Sequence, residues 1–242
     1  MACQLLVVIP VHNAEYSLDE VLRAWTTELD RTGVDFEILL LDDGSTDGTL
    51  GLIDRWVQRG ADGRIRSKRH DHMGHGQTCL EAYRQACWNG VPWVCQIDSD
   101  GRCDPAYFSA LWAARQDHDV VYGRRTVCRE GWSRVLAGVL VRGLVRIAAG
   151  VDCPDANVPY RLMSTTRLLP VINTVPAGFR LANIAMAVQI KRLGWREAGV
   201  PITFRPAARR ESSVPFVRVA GQSLELFGQL LLLPRPVLRG RA

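Results

Sequence analysis

Short runs of unbroken apolar residues alternate along the first half of the chain with stretches whose apolar positions return every three or four residues. Gln4–Pro10 (QLLVVIP), Phe36–Leu41 (FEILLL) and Trp93–Ile97 read as strands buried on both faces; Ile65–Lys68 and Val120–Tyr122 read as weaker ones. Ser17-Leu18-Asp19-Glu20 has the form of a capping box and predicts a helix to about Arg31. Further helices are expected from the Asp42-Asp43-Gly44-Ser45 turn to about Arg59, with Ser45 or Thr46 as cap, and over Gln77–Trp88. Another runs from Asp104-Pro105, an N-cap with Pro at the first helical position, to about Gln116. This alternation predicts an α/β fold with a mostly parallel sheet covered by helices on both faces. The second half is less regular. It suggests helices over Ser133–Gly150, Leu181–Leu193 and Val214–Leu233, the last stopped by Pro234, and strands at Tyr160–Met163 and Val200–Phe204.

Composition narrows the class. Of 242 residues, 47% are hydrophobic and 23% charged, which excludes a disordered chain. The net charge of +5 hides an asymmetry: residues 1–120 sum to −8 and residues 121–242 to +13. A basic second half suits phosphate or an anionic surface. Among the cationic residues, Lys occurs only at Lys68 and Lys191, and the remainder are Arg, which bind phosphate in a forked geometry. No aromatic–basic platform supports nucleic acid as a partner. The seven Cys show no C-x-x-C spacing, and Met-Ala-Cys-Gln-Leu-Leu has no basic leader region. A cytoplasmic chain with reduced thiols is therefore expected. Val135–Val151 is interrupted by Arg142 and Arg146 and Leu224–Leu233 is short, so no transmembrane helix is expected. Arg134, Arg142 and Arg146 fall on one helical face, as in a helix lying at a membrane surface with Val and Leu turned inward, or in an ordinary half-buried helix.

In a parallel sheet, ligands bind beyond the carboxyl ends of the strands, which selects the loops Val11–Glu15, Asp42–Asp47 and Asp98–Asp104. Asp98-Ser99-Asp100 places two carboxylates one residue apart at a strand end, a spacing that holds a hard divalent cation or simply an acidic turn. Asp42 and Asp43 at a strand end can accept hydrogen bonds from a nucleobase or ribose, or form a turn and helix start. His70-x-His72-x-x-His75 resembles a metal cluster, but no Cys or fourth ligand is near it in sequence, so solvated loop histidines are expected. Gly74-x-Gly76 lacks the third Gly of a dinucleotide fingerprint.

Three segments in order resemble the nucleotide-sugar domain of glycosyltransferase family 2, an inverting GT-A fold. They are Ile9-Pro10-Val11-His12-Asn13-Ala14-Glu15, Leu41 to Thr49 (LDDGSTDGT), and Gln96-Ile97-Asp98-Ser99-Asp100-Gly101. Asp155 to Met163 (DANVPYRLM) and Ile202-Thr203-Phe204-Arg205-Pro206 with Glu211-Ser212-Ser213-Val214 resemble its branch of dolichol-phosphate mannose synthases and bacterial polyprenyl-phosphate glycosyltransferases. The resemblance implies a single GT-A domain over 1–242, with a nucleotide-sugar half (1–123) and an acceptor-side half (124–242). It implies that Pro10, Val11, His12, Asn13 and Glu15 line the nucleobase and ribose pocket. Asp43 is to bond the base with Asp42 in support, and Gly74 and Gly76 to approach the nucleotide. Asp98 and Asp100 are to hold Mg²⁺ or Mn²⁺ and the donor diphosphate, with Ser99 and Ser212 beside the donor. Arg125, Arg134, Arg209 and Arg210 are to grip an acceptor phosphate, and Arg161 to stand behind the site.

Some positions depart from the family's pattern. Ala207 and Arg210 stand where the branch has Arg and Gly, Arg102 follows the carboxylates where Gln or His is usual, and Asn183 stands where many members carry an acidic base. A hydroxyl acceptor needs a base, whereas a phosphate is already anionic. The expected reaction is therefore transfer of a hexose from a UDP- or GDP-sugar to a polyprenyl phosphate, with peripheral membrane contact. Two rivals remain: a transferase for soluble acceptors that recruits Asp155 or Glu211, and a nucleotide-binding protein that has lost its chemistry.

Overall fold

Strand β1 (Leu5–Val11) is buried at all seven residues, which requires cover on both faces and places it inside the sheet. The computed structural model describes residues 3–60, 63–125, 132–205 and 216–236, with the backbone alone for 132–137 and 216–223. β1 pairs in parallel with β2 (Phe36–Asp43) on one side and β4 (Trp93–Gln96) on the other; β2 pairs with β3 (Ile65–His70). Strand β6 (Arg161–Ser164) then inserts antiparallel between β4 and β5 (Val120–Arg125), and β7 (Glu197–Ile202) closes the far edge. Among the described residues the sheet has seven strands in the order β3-β2-β1-β4-β6-β5-β7, six of them pointing one way. The expected mostly parallel α/β sheet is present, and β6 is its one reversed strand.

The helices are α1 (Leu18–Thr32), α2 (Thr49–Arg59), α3 (His75–Trp88), α4 (Phe108–Ala114), α5 (Trp132–Ala149), α6 (Leu168–Ile172), α7 (Ala182–Arg192) and α8 (Phe216–Leu231). Asp104 caps the 3-10 turn at Pro105–Tyr107 as expected, its side chain accepting the Ala106 N–H at 3.0 Å. The predicted capping box at α1 does not form. Ser17 makes no side-chain cap bond; its hydroxyl donates instead to the Ser99 carbonyl at 2.7 Å. Nor do Ser45 and Thr46 cap α2, whose N-cap is Gly48; Asp47 instead accepts the Thr49 N–H at 3.0 Å.

α7 is buried at every residue from Ala182 to Ile190, including Asn183 and Gln189. Beside it lies Arg161, wholly buried, whose guanidinium donates to the carbonyls of Val158, Ala156 and Asn183. Backbone dipoles thus satisfy a charge that burial alone would make costly. On α5, Val145 and Ala149 face inward, but Val139, Leu140 and Ile147 are exposed, so the Val and Leu residues do not all turn inward as the helical stripe suggested.

Asp119 fastens the reversed strand. Its carbonyl accepts the Ser164 N–H at 2.9 Å, and its carboxylate accepts the Arg196 N–H at 2.9 Å and pairs with the Arg196 and Arg167 guanidinium groups. Burial opposes ionisation there, but the Arg196 N–H and guanidinium, with Arg167 beyond, hold the carboxyl below the usual carboxylate range. A depressed folded-state pKa contributes stability that is present above the unfolded value and lost as pH falls through the folded one. Urea midpoints should therefore fall between about pH 5 and pH 3. Asp119→Asn should be less stable at neutral pH and lose part of that dependence.

Gly76 sits where a Cβ would lie 2.5 Å from the Arg180 carbonyl oxygen and 3.0 Å from that of Phe179. Both are backbone atoms, so Gly76→Ala forces α3 from the 179–182 segment. A loss of about 1–3 kcal/mol is expected, read as a lower urea midpoint at unchanged slope.

Candidate active site

The register brings the ends of β1 and β2 together: Val11 lies beside Asp42, and Asp43 beside His70 on β3. With the end of β4 they enclose a cavity of about 230 Å³. Pro10, Val11, His12, Asp43, Asp98, Ser99 and Asp100 line it, together with His72, His75 and Thr78. Most of the loop residues that the resemblance placed around the donor are thus brought to one cavity.

Asp43 is the fixed point of this wall. Its side chain is 3% exposed and accepts the Met73 N–H at Oδ1 (2.7 Å) and the Gly74 N–H at Oδ2 (3.0 Å). His72 Nδ1 lies 3.0 Å from the same carboxylate, and His70 Nδ1 lies 3.4 Å from it. The carboxylate therefore anchors the turn that starts α3, and base recognition by Asp43 would share oxygens already engaged. Gly44, at φ 71, lies where a Cβ would stand 3.0 Å from the His72 nitrogen. Only a residue without Cβ brings the two loops this close without strain.

Asn13, Glu15 and Asp42 do not line the cavity; they fasten the 42–48 turn from behind. Asn13, at φ 50, donates its N–H to Ser45 Oγ and accepts the Thr46 N–H at 2.9 Å. Glu15 accepts the Gly48 N–H at 2.8 Å, and the buried Asp42 accepts that of Ser45 at 3.2 Å.

The two carboxylates predicted to bind metal are held from within the fold. Gln96 donates to Asp98 Oδ1 at 3.3 Å, and Asp100 Oδ1 accepts the Arg102 N–H at 3.0 Å. Gln96 is in turn bonded by the buried hydroxyl of Tyr83, which also lies 3.0 Å from Asn183 Oδ1. Asn183 is thus a buried member of this network, away from the cleft and unable to act as a base. The Arg102 guanidinium stacks 5.5 Å over Phe204. His75 Nε2 lies 3.5 Å from Cys79 Sγ and 3.8 Å from Asp98 Oδ1. The Cys79 sulfur, then Asp98 and Asp43, raise the His75 pKa above the ordinary histidine range against the effect of burial.

A second cavity, of about 480 Å³, shares His72 and His75 with the first. Gly74 and Gly76 open onto it, with Met73, Phe179, Leu181 and Leu226 as its apolar wall. Its polar groups include Arg180 and Glu225, which form an ion pair at 3.4 Å. Sequence reasoning missed both; the signal was Glu225, the one acidic residue in the sequence of the apolar helix α8. Arg125 and Asp155, singled out for an acceptor phosphate and as a recruited base, are paired with each other: the Arg125 guanidinium grips the Asp155 carboxylate. Arg209, Arg210, Ser212, Ala207 and Glu211, and the side chain of Arg134, lie outside the described residues.

The sequence model for glycosyl transferase family 2 matches residues 6–140, more than half of the chain, and the chain belongs to that family. It is 29% identical over 156 residues to an undecaprenyl-phosphate 4-deoxy-4-formamido-L-arabinose transferase of Edwardsiella ictaluri, and 30% identical over 156 residues to that of Aeromonas hydrophila. Each match covers 64% of this chain and 47% of the relative, so the chain spans about half the length of these curated relatives. The fold is shared with glucosyl-3-phosphoglycerate synthase from Mycobacterium tuberculosis, solved with Mn²⁺, UDP and phosphoglyceric acid. That match has a TM-score of 0.67 at 21% identity over 94% of this chain and 77% of that one. A mannosyltransferase from Pyrobaculum calidifontis, solved with GDP-Man and Mn²⁺, matches with a TM-score of 0.66 at 19% identity over 99% of this chain and 65% of that one.

Asp43→Asn turns one acceptor oxygen into an amide that meets a backbone N–H. Leaving a buried donor unsatisfied costs about 1–3 kcal/mol. The variant should melt at lower urea and show faster hydrogen exchange at Met73 and Gly74.

Proposed function

We propose that the chain transfers a hexose with inversion from a UDP- or GDP-sugar to a polyprenyl phosphate. One observation carries this reading: two adjoining cavities share the His72–His75 wall, one bearing the carboxylate pair and the other an arginine on an apolar wall. The relatives named for undecaprenyl phosphate and the neighbours holding UDP or GDP-Man with Mn²⁺ support it.

Asp98 and Asp100 present oxygen donors only, a set that fits Mg²⁺ or Mn²⁺. A cation held by this pair would supply positive charge to offset that of the leaving diphosphate. Gln96 and the Arg102 N–H hold the two carboxylates in place. His75, whose pKa is raised beside Cys79, Asp98 and Asp43, would add positive charge on the leaving-group side when protonated. Arg180, beside Phe179 and Leu226, would orient an acceptor phosphate, whose own charge makes it a nucleophile without a base. This fits a site in which Asn183 is buried and Asp155 is held by Arg125. Met73, Leu224, Leu231 and Leu232 are exposed apolar side chains, which suit contact with a prenyl chain or a membrane surface. No helix among the described residues is long and apolar enough to cross a membrane.

A hydroxyl acceptor is the second reading, favoured by Glu225 in the acceptor-side wall. Labelled UDP- and GDP-hexoses with Mn²⁺ and a short polyprenyl phosphate separate the two. The expected product is lipid-linked sugar, with Asp100→Asn lowering turnover by about 10²-fold or more. Glu225→Gln should cost less than about tenfold, whereas loss of a true general base costs about 10²–10⁴. Transfer to hydroxyl acceptors alone, abolished by Glu225→Gln, would establish the second reading.

A further inference from the structure

Four of the five histidines, His12, His70, His72 and His75, converge on the donor-side cavity or its floor. In sequence, three of them form a spacing without a further ligand. The fold supplies what was missing: His12 from the end of β1 and Asp43 from the end of β2. His12 Nδ1 lies 2.8 Å from the Asp43 carbonyl oxygen, and His72 Nδ1 lies 3.1 Å from the same atom. His72 Nδ1 is also 3.0 Å from Asp43 Oδ2, and the two imidazole rings stand 4.6 Å apart. One ligand atom from each of His12, His72 and Asp43 falls within 4.8 Å of the others.

We propose that His12, His72 and Asp43 form a binding site for a borderline transition-metal ion of the Zn²⁺ class, separate from the Asp98–Asp100 pair, and that its occupation shuts out the nucleotide. Tetrahedral coordination at about 2.0–2.1 Å sets ligand atoms about 3.3 Å apart. The His72–Asp43 edge is already close to that. His12 must close the rest; its side chain is exposed and is held by hydrogen bonds to the Asp43 carbonyl and Asn13 and by its ring contact with His72. The Met73 and Gly74 N–H groups hold the Asp43 carboxylate in orientation, the support that metal-ligating carboxylates require. Imidazole nitrogen selects Zn²⁺, Cu²⁺ or Ni²⁺, whereas the oxygen pair at Asp98 and Asp100 suits Mg²⁺ or Mn²⁺. Pro10, Val11 and His12 share the cavity with both sites, so an ion held by His12 takes volume that a nucleoside needs. This competition rests on the donor reading above; the metal site itself does not.

The test is Zn²⁺ titration by calorimetry, with Co²⁺ as an absorption probe, on metal-stripped protein carrying Asp98→Asn and Asp100→Asn. In that background one equivalent of Zn²⁺ should still bind, and Co²⁺ should give the visible band of a nitrogen-ligated, near-tetrahedral ion. Adding His12→Ala or His72→Ala should weaken Zn²⁺ by at least about tenfold. Both side chains are exposed, and matched thermal melts verify the fold. Zn²⁺ binding that disappears with the two Asp→Asn changes, or that ignores both His→Ala changes, overturns the site. In the protein with its aspartates intact, Zn²⁺ should weaken UDP or GDP binding by at least about tenfold at saturation, and this effect should vanish in His72→Ala. Nucleotide binding that Zn²⁺ leaves unchanged overturns the competition. Zn²⁺ binding as expected with no nucleotide binding in any state removes the donor reading and leaves the metal site standing.

Discussion

The buried carboxylate of Asp43, accepting the N–H groups of Met73 and Gly74, is the constraint on which the rest of the cleft depends. A charged acceptor makes these bonds stronger than ordinary backbone pairs. They draw the 71–74 segment across the end of β2 and fix where α3 begins. α3 then meets the 179–182 segment through Gly76, with no room for a side chain between them. The wall shared by the two cavities is therefore a by-product of one anchored turn. His72 and His75 face both sides of it because of where Asp43 ends its strand.

Behind that wall the polar interior forms a linked frame. Asp98 is held by Gln96, Gln96 by Tyr83, and Tyr83 touches Asn183 on α7. The Asn183 carbonyl in turn accepts from Arg161, on the strand beside β4. A carboxylate that must oppose a diphosphate is thus oriented by groups that are themselves buried and packed. Ser17, taken from its expected capping role, holds the Ser99 carbonyl from the other side. Catalysis by electrostatics requires this kind of preorganisation, since a carboxylate free to turn would lose the advantage over water.

What was legible in the chain followed burial. β1, β2 and β4 stood out because each is apolar along nearly its whole length. β3 and β7 lie at the edges, carry exposed residues, and left a faint signal: β3 runs to His70 and β7 begins at Glu197, both beyond their predicted bounds. The short helix α6 left none. The donor-side loops were legible because acids, Gly and His cluster at strand ends. Partnerships between distant segments were not. Nothing local in the chain announces that Arg125 pairs with Asp155, that Glu225 faces Arg180, or that His12 and His72 meet at one carbonyl. Those facts belong to the packing of loops, which periodicity does not encode.

The reversed strand has a consequence for how the protein is made. β4 and β5 are neighbours in sequence but not in the sheet, because β6 separates them and is synthesised later than both. As the chain leaves the ribosome, one edge of β4 and one edge of β5 stand without β6 until residue 164 has emerged, and the other edge of β5 waits for β7. Open edges rich in Val and Cys invite pairing with other chains. The first half thus depends on the second for its completion. A chain that ends between β5 and β6 keeps these edges open, and the nascent chain carries them open from the emergence of β5 until β6 has cleared the ribosome.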